Sequence, residues 1–441
     1  MTKLFIFSGW FVLCGLLLSS STSYLGQGGT ILLAKANANT QQSSSSPSNL
    51  PDNNTCPDIL AIATTQARNA YNLSLNAQTA ADWDQVTLGW LQAITGLQSL
   101  PLTHPQKTFA QKKILEYMDN LTVAMSRNIS APLPFSSFNN ALLDEQLRLY
   151  LSYVAVVGVP DVLIVGSSRS LQAINPKELR FALAAQGLDG LRVFNFSING
   201  ATAQVVNLQL TQLLSPQQLP KMIIWADGVR GFNSGNSDRT YQNILNSTGY
   251  QRAVGGDRPA LLPAPNCPLE INKSLAEKEL LSQILARPAL GQLGLIPLNI
   301  DAYGFNYVEG SFNPATYFLQ IPRVAGQFDA EYRGFNLGGE QGIALNNVIN
   351  FTKQQGINLV FVSLPLTATY LDPVRRNYEQ QFRVFMQQQA NQNGFIFIDF
   401  SLAFLARNDL FVDPSHVNFQ GAAIISRQLA GDRRIPWSSL K

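Results

Sequence analysis

Only two histidines occur in the 441 residues, His104 and His416, and the second stands in the run Asp413, Pro414, Ser415, His416. An Asp three residues before a His on a tight turn can accept from the ring Nδ1–H, leaving Nε2 to deprotonate a hydroxyl. A hydroxyl in a suitable setting lies 248 residues upstream of His416, where the apolar run Asp161 to Gly166 enters Ser167, Ser168, Arg169 and Ser170. Glycine at a strand end permits a sharp turn, and a serine that then opens a helix gains free N–H groups suited to an oxyanion. Each segment alone has a plainer explanation. Asp413 or Ser415 could simply cap a helix, and a Ser-rich turn could cap one or bind phosphate. Together they point to nucleophilic catalysis, with Ser168 as nucleophile, His416 as base and Asp413 as its orienter. Ser167 is then expected to hold the turn by local hydrogen bonds. A third segment, Asn195 to Ala201, contains Asn199 and Gly200, and a glycine there could turn a backbone N–H toward the nucleophile or merely allow a tight turn. His104, between Pro101 and Pro105, reads as a surface residue.

These residues need elements that bring them to one edge. From about residue 160, apolar runs of strand length at 161–166, 191–198, 221–225, 357–364 and 395–400 alternate with helical patterns at 176–186, 201–214, 340–355, 374–392 and from 418. Near-continuous apolar strands separated by helices predict an α/β fold, a flavodoxin-like doubly wound parallel sheet covered on both faces. Ligands bind such sheets beyond the carboxyl ends of the strands, where all three segments fall. A long insertion, at about 229–340, interrupts the alternation and carries a helical pattern at 273–287.

Upstream, residues 56–130 read as a helical hairpin module. Trp83, Val86, Trp90, Ala93, Ile94, Leu97 and Leu100 recur at helical spacing, as do Ala110, Ile114, Tyr117, Leu121 and Ala124, and a third helix at 57–73 fits ahead of them. Trp83 and Trp90 are expected in its core. It resembles small Trp- and Ala-rich helical modules of exported proteins in photosynthetic bacteria. Residues 39–55 are a polar low-complexity linker with too little apolar surface to order itself.

Residues 1–38 read as a signal peptide or an N-terminal anchor. Lys3 gives a positive start, Leu4 to Leu18 is almost wholly apolar yet shorter than the ~20 residues of a membrane span, and Ala34, Ala36 and Ala38 offer cleavage patterns. The expected location is therefore periplasmic or extracellular. Loss of this segment would remove Cys14 and leave Cys56 and Cys267, which could pair in an oxidising space or remain unrelated thiols. Two scattered Cys and two His show no metal-ligand spacing, so no metal is expected, nor any cofactor. With a net charge of +3 and charged residues at 13%, about half the usual ~25%, the chain has no electrostatic footprint for nucleic acid.

The order of the segments carries a resemblance. Gly166 and Ser168 after the first strand, Asn199 and Gly200 after the second, and Asp413 and His416 before the last helix resemble the SGNH (GDSL-type) hydrolase superfamily. The match is closer to its exported Gly-Ser-Ser branch, which includes the extracellular hydrolase-like domain of lipoteichoic-acid D-alanylation, and it covers about residues 158–435. It implies Ser168, His416 and Asp413 as the catalytic triad, and the N–H groups of Ser168 and Gly200 as oxyanion donors. The third motif departs from the family. An Asn side chain is expected after the third strand, but the chain reads Ala226, Asp227, Gly228, Val229, Arg230, with Asn233 further on. Asp227 could donate only if protonated, Arg230 or Asn233 could donate if the loop folds inward, and the third donor is left unassigned. The function implied is an ester hydrolase or O-acyltransferase acting on an acylated polysaccharide or other envelope polymer. The helical module would be open to a protein partner, and membrane contact would run only through an uncleaved N-terminal segment. The alternative is a non-catalytic scaffold protein that binds envelope glycans or partners.

Overall fold

The sheet is built from short strands that are apolar on both sides. The structure, a computed structural model, describes residues 59–98, 100, 105–127, 135–259 and 300–441. The expectations for the export segment, the linker, His104, Cys56, Cys267 and the helix at 273–287 fall outside these residues. Five strands are described: β1 (Val162–Gly166), β2 (Val193–Asn195), β3 (Met222–Asp227), β4 (Asn358–Ser363) and β5 (Ile396–Asp399). All pair in parallel, in the order β2-β1-β3-β4-β5, the flavodoxin-like doubly wound arrangement. Every residue of β1 and β3 is buried, as strands covered on both faces require.

Alternation along the strands feeds two cores. Leu163, Val165, Ile223, Trp225 and Phe361 point to one face, and Val162, Ile164, Ile224, Val360 and Val362 to the other. The helices are α1 (Ile59–Ser74), α2 (Ala80–Gln98), α3 (Lys107–Arg127), α4 (Ala141–Val157), α5 (Ser168–Ala173), α6 (Pro176–Ala184) and α7 (Ala203–Leu208, extended by a π turn to Leu213). They continue with α8 (Arg239–Leu245), α9 (Thr248–Val254), α10 (Pro314–Gln320), α11 (Glu340–Gln355), α12 (Pro373–Asn393) and α13 (Phe419–Gly431). Helices α4, α7, α11 and α12 supply Tyr150, Val206, Leu345 and Phe382 to the first core. Helices α6 and α13 supply Leu179, Leu183, Ile425 and Leu429 to the second. None of the described helices is long and apolar enough to cross a membrane.

The N-terminal helices are the pair α2 and α3, preceded by α1 where a third helix was expected, and Trp90 is buried against Tyr117 with ring centroids 5.3 Å apart. Helices α1 and α2 approach closely because small residues face each other: a Cβ at Gly96 would lie 2.9 Å from that of Ala63, and one at Gly89 2.9 Å from that of Ala70. A salt bridge of 2.5 Å ties Asp119 on α3 to Lys177 on α6. The insertion closes on itself at its two ends. Asn233 Oδ1 accepts from the N–H groups of Gly235 and Asn336, and Ser234 N–H donates to Asn336 O. Its later part lies along the β2 edge, where Asn195 N–H donates to Tyr303 O and Asn306 N–H to Leu171 O on α5.

One backbone position controls the exit from β1. Gly166 has φ +145°, and a Cβ there would stand 2.1 Å from Ala226 O and 2.9 Å from the Ser170 Cβ. The register that sets Gly166 opposite Ala226 leaves no space for a side chain. Gly166→Ala is therefore expected to destabilise the fold by about 3 kcal/mol or more, combining backbone strain with overpacking. Urea unfolding checks this, and a change under about 0.5 kcal/mol would contradict the packing described.

Candidate active site

Residues from the carboxyl ends of β1 and β3 and from the loop between β5 and α13 meet at one edge of the sheet. Ser168 is the first residue of α5, directly after the Gly166–Ser167 turn, and its Oγ lies 2.8 Å from His416 Nε2. His416 Nδ1 lies 2.8 Å from Asp413 Oδ2. A carboxylate only accepts, so Nδ1 carries the proton and Nε2 is left to accept from the serine hydroxyl. The histidine loop is a narrow hairpin: Phe411 bridges Val417 and Val412 N–H donates to His416 O. Pro414 O accepts from both the N–H and the hydroxyl of Thr367, which fastens the loop to the segment after β4.

Asp413 is gripped from several sides. Its Oδ1 accepts from the N–H groups of Ser415 (2.7 Å) and His416 (2.8 Å), as an Asp turn does, while Oδ2 takes the imidazole. Burial alone would raise its pKa. The attraction of His416, the ring N–H bond and the two backbone N–H groups outweigh burial and hold the carboxyl well below the ordinary range. Asp227, at the end of β3, goes the other way. Burial is its largest influence and pushes its pKa up, against the opposing pull of Arg169, Gly228 N–H and the Ser167 hydroxyl.

The three serines of the turn have separate partners. Ser167 caps α5, but its main bonds are not local: its N–H (3.0 Å) and hydroxyl (2.9 Å) both donate to Asp227 on the neighbouring strand. Ser170 is buried, donating to Val165 O and accepting from the Ser197 hydroxyl at 2.8 Å. Ser168 alone faces the histidine. Gly200 lies in an exposed turn after β2 with φ +69°. Its N–H and that of Ser168 donate to no protein acceptor among the described residues.

The two candidates for a third oxyanion donor are occupied differently. Both amide hydrogens of buried Asn233 are used, on Glu331 O (2.9 Å) and Arg333 O (3.1 Å), so its side chain braces the insertion instead of facing Ser168. Arg230 is half-buried, reaches Ser415 Oγ at 3.4 Å and lies over the Tyr370 ring, beside the Asp413 end of the relay. Two neighbours of the relay escaped the sequence reading, Asp227 as partner of Ser167 and Arg169 as a buried cation. A strand-ending Asp and an Arg between serines are too common to stand out.

No protein-family model matches this chain, and a search of curated proteins finds no match either.

The Asp413 carboxylate should leave a mark on acid stability. A group whose folded pKa is depressed contributes stability that is present above its unfolded value, ~3.9, and lost as pH falls through the folded value. Asp413→Asn is expected to lower stability at pH 7 and to flatten the loss of stability below about pH 4. Urea unfolding midpoints from pH 7 to pH 2.5 read this directly, and parallel curves for parent and variant would contradict it.

Proposed function

We propose that the protein is a serine-dependent acyl hydrolase or O-acyltransferase of the SGNH type, exported and acting on an acylated envelope or secreted polymer. The observation that carries the reading is the continuous relay from Asp413 Oδ2 through His416 to Ser168 Oγ, with both contacts at 2.8 Å. In the proposed reaction His416 Nε2 takes the Ser168 proton as Oγ attacks the acyl carbon, and the N–H groups of Ser168 and Gly200 receive the oxyanion. His416 then returns the proton to the departing alcohol, leaving an acyl-serine. Release to water makes a hydrolase, and release to a sugar hydroxyl makes a transferase. Export is supported by the N-terminal sequence, and a polymeric substrate by the linker, the helical module and the long insertion. The insertion reaches the back of α5 through the bond from Asn306 to Leu171. Ser167, held by Asp227, has the supporting role in this scheme.

Turnover of 4-nitrophenyl acetate by purified protein tests the proposal. Ser168→Ala and His416→Ala should each reduce kcat by ~10⁴-fold or more, because the two act as a unit. Asp413→Asn should be milder by roughly tenfold to a hundredfold, and Ser167→Ala should keep clear residual activity. If the unmutated protein turns over no acyl ester, the non-catalytic scaffold reading replaces this one.

A further inference from the structure

We propose that Arg169 is the positioning residue of this site: its guanidinium fixes the histidine loop relative to α5, through a gap that glycine at position 228 keeps open. The proposal rests on the catalytic reading of Ser168 and His416. Arg169 follows Ser168 in the chain, and Ser415 precedes His416. The bond from Arg169 Nε to Ser415 O (3.2 Å) therefore runs alongside the contact between Ser168 Oγ and His416 Nε2, one residue along on each side. The same guanidinium donates through Nη2 to Leu364 O (2.7 Å) and Pro365 O (3.0 Å), just beyond β4. One side chain thus joins the helix of the nucleophile, the loop of the base and the segment after β4.

The surroundings are shaped for this group. Arg169 is 4% exposed and forms no ion pair within 4.0 Å among the described residues. No carboxylate touches the guanidinium, although Glu379 and Asp227 attract it from further off, and three carbonyls accept from its Nε and Nη2. Those carbonyls belong to two separate loops and would lose these donors if an apolar residue took the place of Arg169. Its Nη1 occupies the position a side chain at 228 would need: a Cβ on Gly228 would lie 1.9 Å from Nη1 and 3.1 Å from Cζ. Gly228 has φ −145° and ψ −175°, an extended conformation open to any residue, so the requirement for glycine comes from Arg169 and not from the backbone. A lysine would bring a point charge and could not span the carbonyls of residues 364, 365 and 415 together.

Two variants disturb this arrangement from opposite sides. Arg169→Lys removes the fork, while Gly228→Ala keeps Arg169 and adds one methyl where Nη1 sits. With 4-nitrophenyl acetate and the full chain, each is expected to lower kcat at least thirtyfold with KM within threefold. The double variant should be little worse than either single one, because both break the same link. A second readout needs no turnover: ¹⁵N NMR of histidine-labelled protein, in which His416 is one of only two histidines, each contributing an Nδ1 and an Nε2 signal. In the parent, Ser168→Ala should shift the His416 Nε2 resonance, because the hydroxyl that donates to it is lost. In Arg169→Lys and Gly228→Ala the same replacement should leave that resonance in place. The proposal is overturned if both variants keep kcat within threefold, or if KM rises in step with the fall in kcat. It is equally overturned if Ser168→Ala shifts Nε2 as much in the variants as in the parent. Absence of turnover in the parent bears on the catalytic reading alone, and the NMR comparison then decides the positioning role.

Discussion

Ser168 and His416 are 248 residues apart in the chain and 2.8 Å apart in space, and nearly everything described here bears on how that contact is held. Serine and histidine side chains supply little of the holding force themselves. The position of Ser168 follows from the end of β1, where Gly166, with no room for a side chain beside Ala226 O, leads directly into α5. The position of His416 follows from the Asp413 turn, the bridge from Phe411 to Val417 and the two Thr367 bonds to Pro414 O. Parallel pairing in the order β2-β1-β3-β4-β5 delivers these segments to the same edge, with β1 and β3 adjacent where the strand order reverses.

Two carboxylates near the contact are treated in opposite ways, and the difference is chemical. Asp413 faces an imidazole and backbone N–H groups that favour its charge, so it remains an anion able to stabilise a protonated His416 in the proposed reaction. Asp227 is more deeply buried and its pKa is raised. It accepts from Ser167 and Gly228 and so ties the β1 turn to the end of β3. It stands where an oxyanion-stabilising motif was expected but serves as scaffold. Gly228 beside it gives its space to Arg169.

The strands and most of the helices were legible in the sequence because burial on both faces leaves unbroken apolar runs such as Val162 to Val165 and Met222 to Ala226. Helix α4 was not foreseen, although Leu143, Leu147, Tyr150 and Leu151 follow helical spacing and Asn140 caps it. It lies in the stretch between the two recognised patterns. Of the site, Ser168, His416 and Asp413 were readable because a serine after a strand-ending glycine and an Asp three residues before a rare histidine are local patterns. Asn233 misled for the reverse reason: the carbonyls of Glu331 and Arg333 that occupy it lie about a hundred residues later, so no local pattern announces them. Ser167 was expected to bond locally, and its principal partner lies on another strand, 60 residues on.

The central claim is that Ser168 is an activated nucleophile, and a covalent adduct tests it most directly. The intact protein would be treated with a fluorophosphonate at neutral pH, digested with trypsin, and the peptides ending at Arg169 and beginning at Ser170 fragmented in a mass spectrometer. The account predicts one phosphonyl group on Ser168, none on Ser167, and loss of labelling in His416→Ala. An adduct on Ser167 or Ser170, or an unlabelled protein with the contact between Ser168 and His416 intact, would contradict it.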